Sequence, residues 1–302
     1  MRSFLLEPVD RSRVKTWLLV TATVAVSVIV VFSVREALGN GTPRRGAAAS
    51  TLAAAQLRLA ESSRPGVRVL FIGNSFTAAN SLPNMVRRLA APSSGSRPVF
   101  PVAYDPSGSQ LHQAVVDPEL LQLLRGVRWN VVVVQEQSQL PALPYWLHAS
   151  TLPAVRQLVA MIRSRGGEPV LFETWGYEQG DPMNITWDSY RAMQTRLHAG
   201  YFYLSHKEDV PVAAVGDAWA QALRQRPAAP MWSGDGKHPS LEGSYLAAVV
   251  IAAAVLQQSS PGHKAITVNR GYTAGLASAT AAWLQRVGLT TAREPSPALD
   301  AK

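Results

Sequence analysis

The sequence predicts an α/β fold, a three-layer α/β/α sandwich around a parallel sheet, preceded by an N-terminal transmembrane helix. Three observations predict it. Short, nearly continuous apolar runs recur from residue 67 onward, segments of helical length separate them, and the stretch 17–34 near the amino end holds no charged residue. Runs of this kind suit strands buried on both faces of a parallel sheet. Their alternation with helices gives a layered architecture. Composition agrees: 302 residues, 47% hydrophobic and 16% charged, exclude a disordered chain, and 21 Gly and 21 Pro without a fixed period exclude a collagen-like one. The absence of Cys excludes a disulfide scaffold, a thiolate zinc site and a cysteine nucleophile.

Residues 1–16 form a basic segment with Arg2, Arg11, Arg13 and Lys15. As a helix, residues 17–34 reach about 27 Å, close to the roughly 30 Å of a bilayer core, with Trp17 at the interface. The positive-inside rule puts this amino end in the cytoplasm and the body of the chain outside it, as a single-pass anchored protein. The alternative is secretion after signal cleavage. Against it, a cleaved signal has a shorter apolar core with small residues directly after, whereas Arg35 and Glu36 follow here. Residues 35–65, with Gly39, Gly41, Pro43, Gly46 and an Ala-rich tract, read as a linker.

The folded domain spans residues 66–290. Strands are expected at 67–72, 98–103, 131–134, 169–172 and 210–215, with helices at 82–90, 118–124, 151–165, 186–206, 218–224 and 241–257. A further surface helix is expected over 272–287, and residues 291–302 read as a flexible tail. The net charge is +9, but the Arg residues are scattered rather than clustered between aromatics, so nucleic acid is not an expected partner.

The first strand ends in Gly73-Asn74-Ser75-Phe76-Thr77. Ligand sites of open parallel sheets lie beyond the carboxyl ends of the strands, which is where Ser75 falls. A Gly before it permits a tight turn, and a helix beginning near Ser81 is placed to aim N–H groups at a developing anion. The second informative block, Gly234-Asp235-Gly236-Lys237-His238-Pro239-Ser240, precedes the long apolar helix. Three residues apart on a Gly-containing loop, Asp235 can hold one ring nitrogen of His238 and leave the other free. A serine hydroxyl needs such a base to become nucleophilic.

These blocks resemble those of the SGNH, or GDSL-like, hydrolases, esterases and lipases on a flavodoxin-like α/β/α sandwich. The resemblance covers roughly residues 67–257. Gly73-Asn74-Ser75 is similar to the family's G-D-S block with Asn for Asp, and Asp235-Gly236-Lys237-His238 looks like its closing D-x-x-H block. Carried over, they imply Ser75 as nucleophile, His238 as general base and Asp235 as its orienting partner. The resemblance also implies an oxyanion hole built from the Ser75 N–H, the N–H of Gly108 after the second strand, and a side-chain amide after the third. The usual G-x-N-D is absent, and Gln135-Glu136-Gln137-Ser138 stands in its place. A glutamine amide can donate as an asparagine does. Gln135, first after the strand, is preferred over Gln137.

Thr77 departs from the G-x-S-x-G elbow of the α/β-hydrolases, and Gly73 begins no P-loop. The six His show no close ligand spacing with acids, so no metal and no cofactor are expected. Trp146, Trp175, Trp187 and Trp232 follow strands or approach the Asp235 loop, where they could line a cleft and stack on sugar rings. The expected function is therefore a serine esterase acting through an acyl-enzyme on an ester, an acetylated saccharide foremost. An acyltransferase on the same triad and a non-catalytic, membrane-tethered glycan-binding protein are the rival expectations.

Overall fold

The computed structural model describes residues 65–91, 97–259 and 267–293. The expected basic segment, the expected transmembrane helix and all of the expected linker but residue 65 lie outside the described residues, as does the expected tail from residue 294.

Five parallel strands make one sheet in the order β2-β1-β3-β4-β5. They are β1 (Val67–Ile72), β2 (Val99–Tyr104), β3 (Val131–Val134), β4 (Glu168–Phe172) and β5 (Val212–Ala213). Between and after them run α1 (Ser75–Ala78), α2 (Leu82–Leu89), α3 (Pro118–Gly126), α4 (Leu152–Arg163), α5 (Tyr190–Glu208), α6 (Val215–Gln225), α7 (Leu241–Ser259) and α8 (Ser278–Arg293). The central strands are the apolar ones: every residue of β3, and all of β1 but Arg68, is buried. The edge strand β2 is only partly covered, and β5 shortens to two residues because it pairs with β4 alone, over Leu171↔Val212 and Phe172↔Ala213.

The strand order places the helices. From β1 the chain steps one way to β2, and from β2 through β3 and β4 to β5 it steps the other. With right-handed crossovers, α2 then covers one face while α3, α4 and α5 cover the opposite one. The expected three layers result, and β1 and β3 flank the point where the order reverses.

Helix α7 joins α2 and is the spine of its layer. It is long and apolar enough to cross a membrane, yet 67% of its apolar window is buried inside the protein, which marks a core helix. The Ser240 hydroxyl caps it by accepting the Gly243 N–H at 3.0 Å, so the loop that carries His238 ends where this rigid element begins. The expected surface helix over 272–287 is α8, which starts six residues later and runs to Arg293, overlapping the expected tail. Its buried face, Ala281, Leu284, Val287 and Gly288, packs on α7.

Candidate active site

Strand β1 delivers the first functional side chain. Its hydrogen bonding ends at Gly73, where a Cβ would stand 2.2 Å from Thr77 Oγ1 and 2.6 Å from Gln135 Oε1, so no larger residue fits this turn. Asn74 then caps α1: its side-chain oxygen accepts the Phe76 N–H at 3.1 Å. Ser75 is the first residue of that single turn. The helix at Ser75 is therefore α1, and not the expected one near Ser81. Asn80 and Ser81 have φ of 51° and 55°, which separates α1 from α2 by a sharp corner.

The loop before α7 delivers the expected base. His238 Nε2 lies 2.9 Å from Ser75 Oγ, and His238 Nδ1 lies 2.5 Å from Asp235 Oδ2. A carboxylate only accepts, so Nδ1 carries the proton and Nε2 presents its lone pair to the Ser75 hydroxyl. The other Asp235 oxygen accepts the N–H groups of Lys237 and His238, each at 3.0 Å, and the Ser233 hydroxyl at 2.8 Å. Partial burial pushes the Asp235 carboxyl upward. The hydrogen bonds from the His238 ring, Lys237, Ser233 and the His238 N–H outweigh it and hold the group well below the usual carboxylate range. Asp235 thus stays ionised across the neutral and mildly acidic range. The His238 and Asp235 side chains are 41% and 46% exposed, so the site opens to water.

Asn80, which no sequence pattern singled out, ties the two halves together. Its amide donates to Ser244 Oγ at 2.8 Å and to the Ser240 and Pro239 carbonyls at 3.1 and 3.3 Å. Asn tolerates the left-handed conformation needed there, and that tolerance was the available signal.

The expected oxyanion donors divide. As the first N–H of a helix, that of Ser75 has no intrahelical acceptor. Gly108, with φ of 70°, sits in a turn closed by Ser109 N–H to the Pro106 carbonyl at 3.0 Å. That turn is moored to the nucleophile turn by Asn74 Nδ2 donating to the Ser109 carbonyl at 3.1 Å. Among the described residues, neither the Ser75 nor the Gly108 N–H is spent on another bond.

Gln135 departs from expectation. It is buried, and its amide nitrogen donates to Asn74 Oδ1 at 3.0 Å and to the Glu136 carbonyl at 2.5 Å, which uses both hydrogens. Its oxygen accepts the Thr77 hydroxyl at 2.8 Å and the Asn74 N–H at 3.2 Å, which fixes the orientation of the amide. Gln135 braces the nucleophile turn and has no hydrogen left for an oxyanion. Gln137 is partly exposed and gives one amide hydrogen to Gln139 Oε1 at 3.0 Å, which leaves the second. Replacing Gln135 with Ala strands the buried Asn74 N–H and Thr77 hydroxyl, and we expect a loss of about 1 to 3 kcal/mol in urea unfolding. The Gln137 oxygen accepts the N–H groups of Gln139 at 2.8 Å and Leu140 at 3.3 Å, both part-buried, so Gln137→Ala is expected to cost less stability than Gln135→Ala and, if its free hydrogen serves the oxyanion, to lower kcat as well.

Glu136, between them, is buried and accepts from Gln137 N–H (2.7 Å), Leu111 N–H (2.9 Å) and Thr151 Oγ1 (3.0 Å). It joins the loops after β2 and β3 to the start of α4.

The four tryptophans do not share a cleft. Trp175 is fully buried with its faces against Phe76 and Trp219, so it cannot stack on a ligand. Trp232 is partly buried, donating to the Gly176 carbonyl at 3.1 Å. Trp146 is half-buried beside the exposed Tyr145, and Trp187 is 95% exposed on the loop after β4.

A second carboxylate–imidazole group was invisible to sequence spacing. Glu173 at the end of β4, His198 on α5 and Asp217 on α6 bring ligand-type atoms within 4.8 Å of one another, with His198 Nδ1 2.9 Å from Asp217 Oδ1. Such a donor set is of the kind that holds divalent ions. Here Glu173 Oε1 accepts from Gln194 Nε2 at 3.0 Å. Burial, then the neighbouring Asp217, drives the Glu173 carboxyl well above the usual range, against hydrogen bonds from the Asp217 N–H and Gln194. Between the ordinary glutamate value and this raised one, the folded protein holds a proton that the unfolded chain has lost, so this group makes stability fall as pH rises. Glu173→Gln is expected to flatten the decline between pH 5 and 8, measured as the difference in urea midpoints.

No protein-family model and no curated protein match the chain. Among solved structures it is similar to an SGNH hydrolase from Slackia heliotrinireducens, at 26% identity and a TM-score of 0.53, over 62% of this chain and 97% of that one. A DUF4886 family protein from Bacteroides uniformis matches at 18% identity and a TM-score of 0.57, over 78% and 98% of the two chains. The chain has the SGNH hydrolase fold.

Proposed function

We propose that this chain, which has the SGNH hydrolase fold, is a serine hydrolase that cleaves carboxylic esters, with acetyl groups on a saccharide as its substrate class. The observation that carries the reading is the continuous path from Asp235 Oδ2 through His238 to Ser75 Oγ, with contacts of 2.5 and 2.9 Å. As Ser75 Oγ attacks the ester carbonyl, its proton passes to His238 Nε2. The ionised Asp235 stabilises the imidazolium and fixes its tautomer. The tetrahedral oxyanion is met by the N–H groups of Ser75 and Gly108 and by the uncommitted amide hydrogen of Gln137. His238 returns the proton to the departing alcohol, then activates a water that releases the acid from Ser75.

Hydrolysis rather than acyl transfer is favoured by solvent access, since His238 and Asp235 are each more than two fifths exposed and water reaches the acyl-enzyme freely. An open site also suits a bulky polar substrate better than a long acyl chain. The exposed rings of Tyr145, in the short helical turn Pro144–Trp146 after β3, and Trp187, on the loop after β4, offer stacking surfaces for sugar. The test compares p-nitrophenyl acetate with longer acyl esters, followed by acetylated glycans. Turnover that falls as the acyl chain lengthens supports the reading, and a preference for long chains refutes its acetyl part.

We also propose that residues 17–34 anchor the protein with its catalytic domain outside the cytoplasm. The support is their uncharged apolar length behind a basic segment. Phosphatase fusions at residues 60 and 12 test it: activity at 60 alone is expected, and the reverse pattern overturns it.

A further inference from the structure

The His238 imidazole is held in its own plane at two points, Asp235 and Ser75, and neither contact resists tilting of the ring. The loop that carries it is exposed at Gly234, Asp235 and Lys237. Something else must fix the ring's inclination, because misplacement of about 1 Å in a reacting group can cost on the order of a hundredfold in rate.

An aromatic stack stands at this point. The Phe76 ring packs against His238 with centroids 5.2 Å apart and planes at 64°. Behind it, Trp175 lies parallel to Phe76 at 4.7 Å and 3°, and Trp219 lies parallel to Trp175 at 4.2 Å and 8°. All three rings are buried, so the stack cannot yield sideways without opening the core. Its links to the chain on either side of the contact are what matter for the chemistry. Phe76 directly follows the nucleophile on α1. Trp175 donates its indole N–H to the carbonyl of Lys237, the residue directly before the base, at 3.0 Å.

The segment bearing Trp175 is itself stitched to the base loop. Glu178 N–H donates to the Gly236 carbonyl at 2.8 Å, and Trp232 Nε1 to the Gly176 carbonyl at 3.1 Å. Gln194 ties the segment down from α5, accepting the Gly176 N–H at 2.9 Å while donating to Glu173. One ring pair therefore joins the nucleophile's neighbour to the base's neighbour through the interior.

We propose that Phe76 and Trp175 are positioning residues for the reaction: their stack sets the separation of Ser75 from His238 and the tilt of the imidazole. The inference rests on the esterase reading for its kinetic consequence but not for its geometric one. Trp175→Leu removes both the stack and the Lys237 bond, Trp175→Phe restores the stack alone, and Phe76→Leu removes only the ring next to His238.

The experiment measures kcat and KM on p-nitrophenyl acetate, and the low-field proton resonance of His238 Nδ1–H, in the four full-length proteins, each shown folded by circular dichroism. Trp175→Leu and Phe76→Leu are expected to lower kcat about tenfold or more with KM within twofold, and to broaden or shift the resonance. Trp175→Phe is expected to regain a large part of both. A wild-type resonance and kcat in the folded Leu variants overturns the proposal. So does a loss that the Phe variant does not rescue, which assigns the effect to the Trp175–Lys237 hydrogen bond rather than to the stack. If the wild-type protein turns over no ester while the resonance still responds to the Leu variants, the positioning stands and the esterase reading fails.

Discussion

Ser75→Ala is expected to lower kcat/KM on p-nitrophenyl acetate by at least about a thousandfold, with unfolding midpoints unchanged. Without Oγ no acyl-enzyme forms, and what remains is catalysis by the oxyanion donors and binding alone, which triad enzymes retain at a low level. Ser75 is half-buried on a turn held by Asn74 and Gln135, none of whose bonds uses the hydroxyl, so the fold loses only the contact with His238. His238→Ala is expected to match it, and the double variant to add little, because the two residues act as a unit. An equal loss of activity and stability would instead mean that the turn had collapsed.

The largest expected effect on stability comes from Trp219→Ala. This side chain is fully buried between Trp175 and Trp232 and beneath Gly243, so truncation removes a large apolar surface and leaves a cavity that α7 cannot close. A loss of about 3 to 5 kcal/mol is expected in urea unfolding. Trp219→Phe is expected to cost much less: it keeps the stacked ring and discards an indole N–H that finds no acceptor among the described residues. If both variants lose the same amount, the indole N–H is paired in solution and the packing argument is incomplete.

The strands were legible because double-sided burial writes a continuous apolar run. Val131–Val134 appears in the structure with the predicted bounds, as does Val67–Ile72. The last strand was overread because residues 210–215 are apolar for two reasons: Val212 and Ala213 pair with β4, while Val215 begins α6. The Ser75 and Asp235–His238 blocks, which the fold brings into contact, were legible because each packs its polar groups into a few adjacent residues with a glycine for the turn. The oxyanion side was not. Gln135 and Gln137 differ by their partners, and the Asn74 and Thr77 groups that absorb Gln135 lie some sixty positions earlier in the chain. The same holds for Glu173, His198 and Asp217, which only tertiary folding brings together. Trp175 and Trp187 read alike in sequence, and burial alone separates a core ring from an exposed one.

A serine hydrolase working through Ser75 passes through a covalent intermediate on that residue. Intact-mass measurement after treatment with a fluorophosphonate, with the adduct located by peptide mapping, is predicted to show one label per chain on Ser75, none in Ser75→Ala and strongly slowed labelling in His238→Ala. An unlabelled wild-type protein, or an adduct that persists in Ser75→Ala, would contradict that role for Ser75.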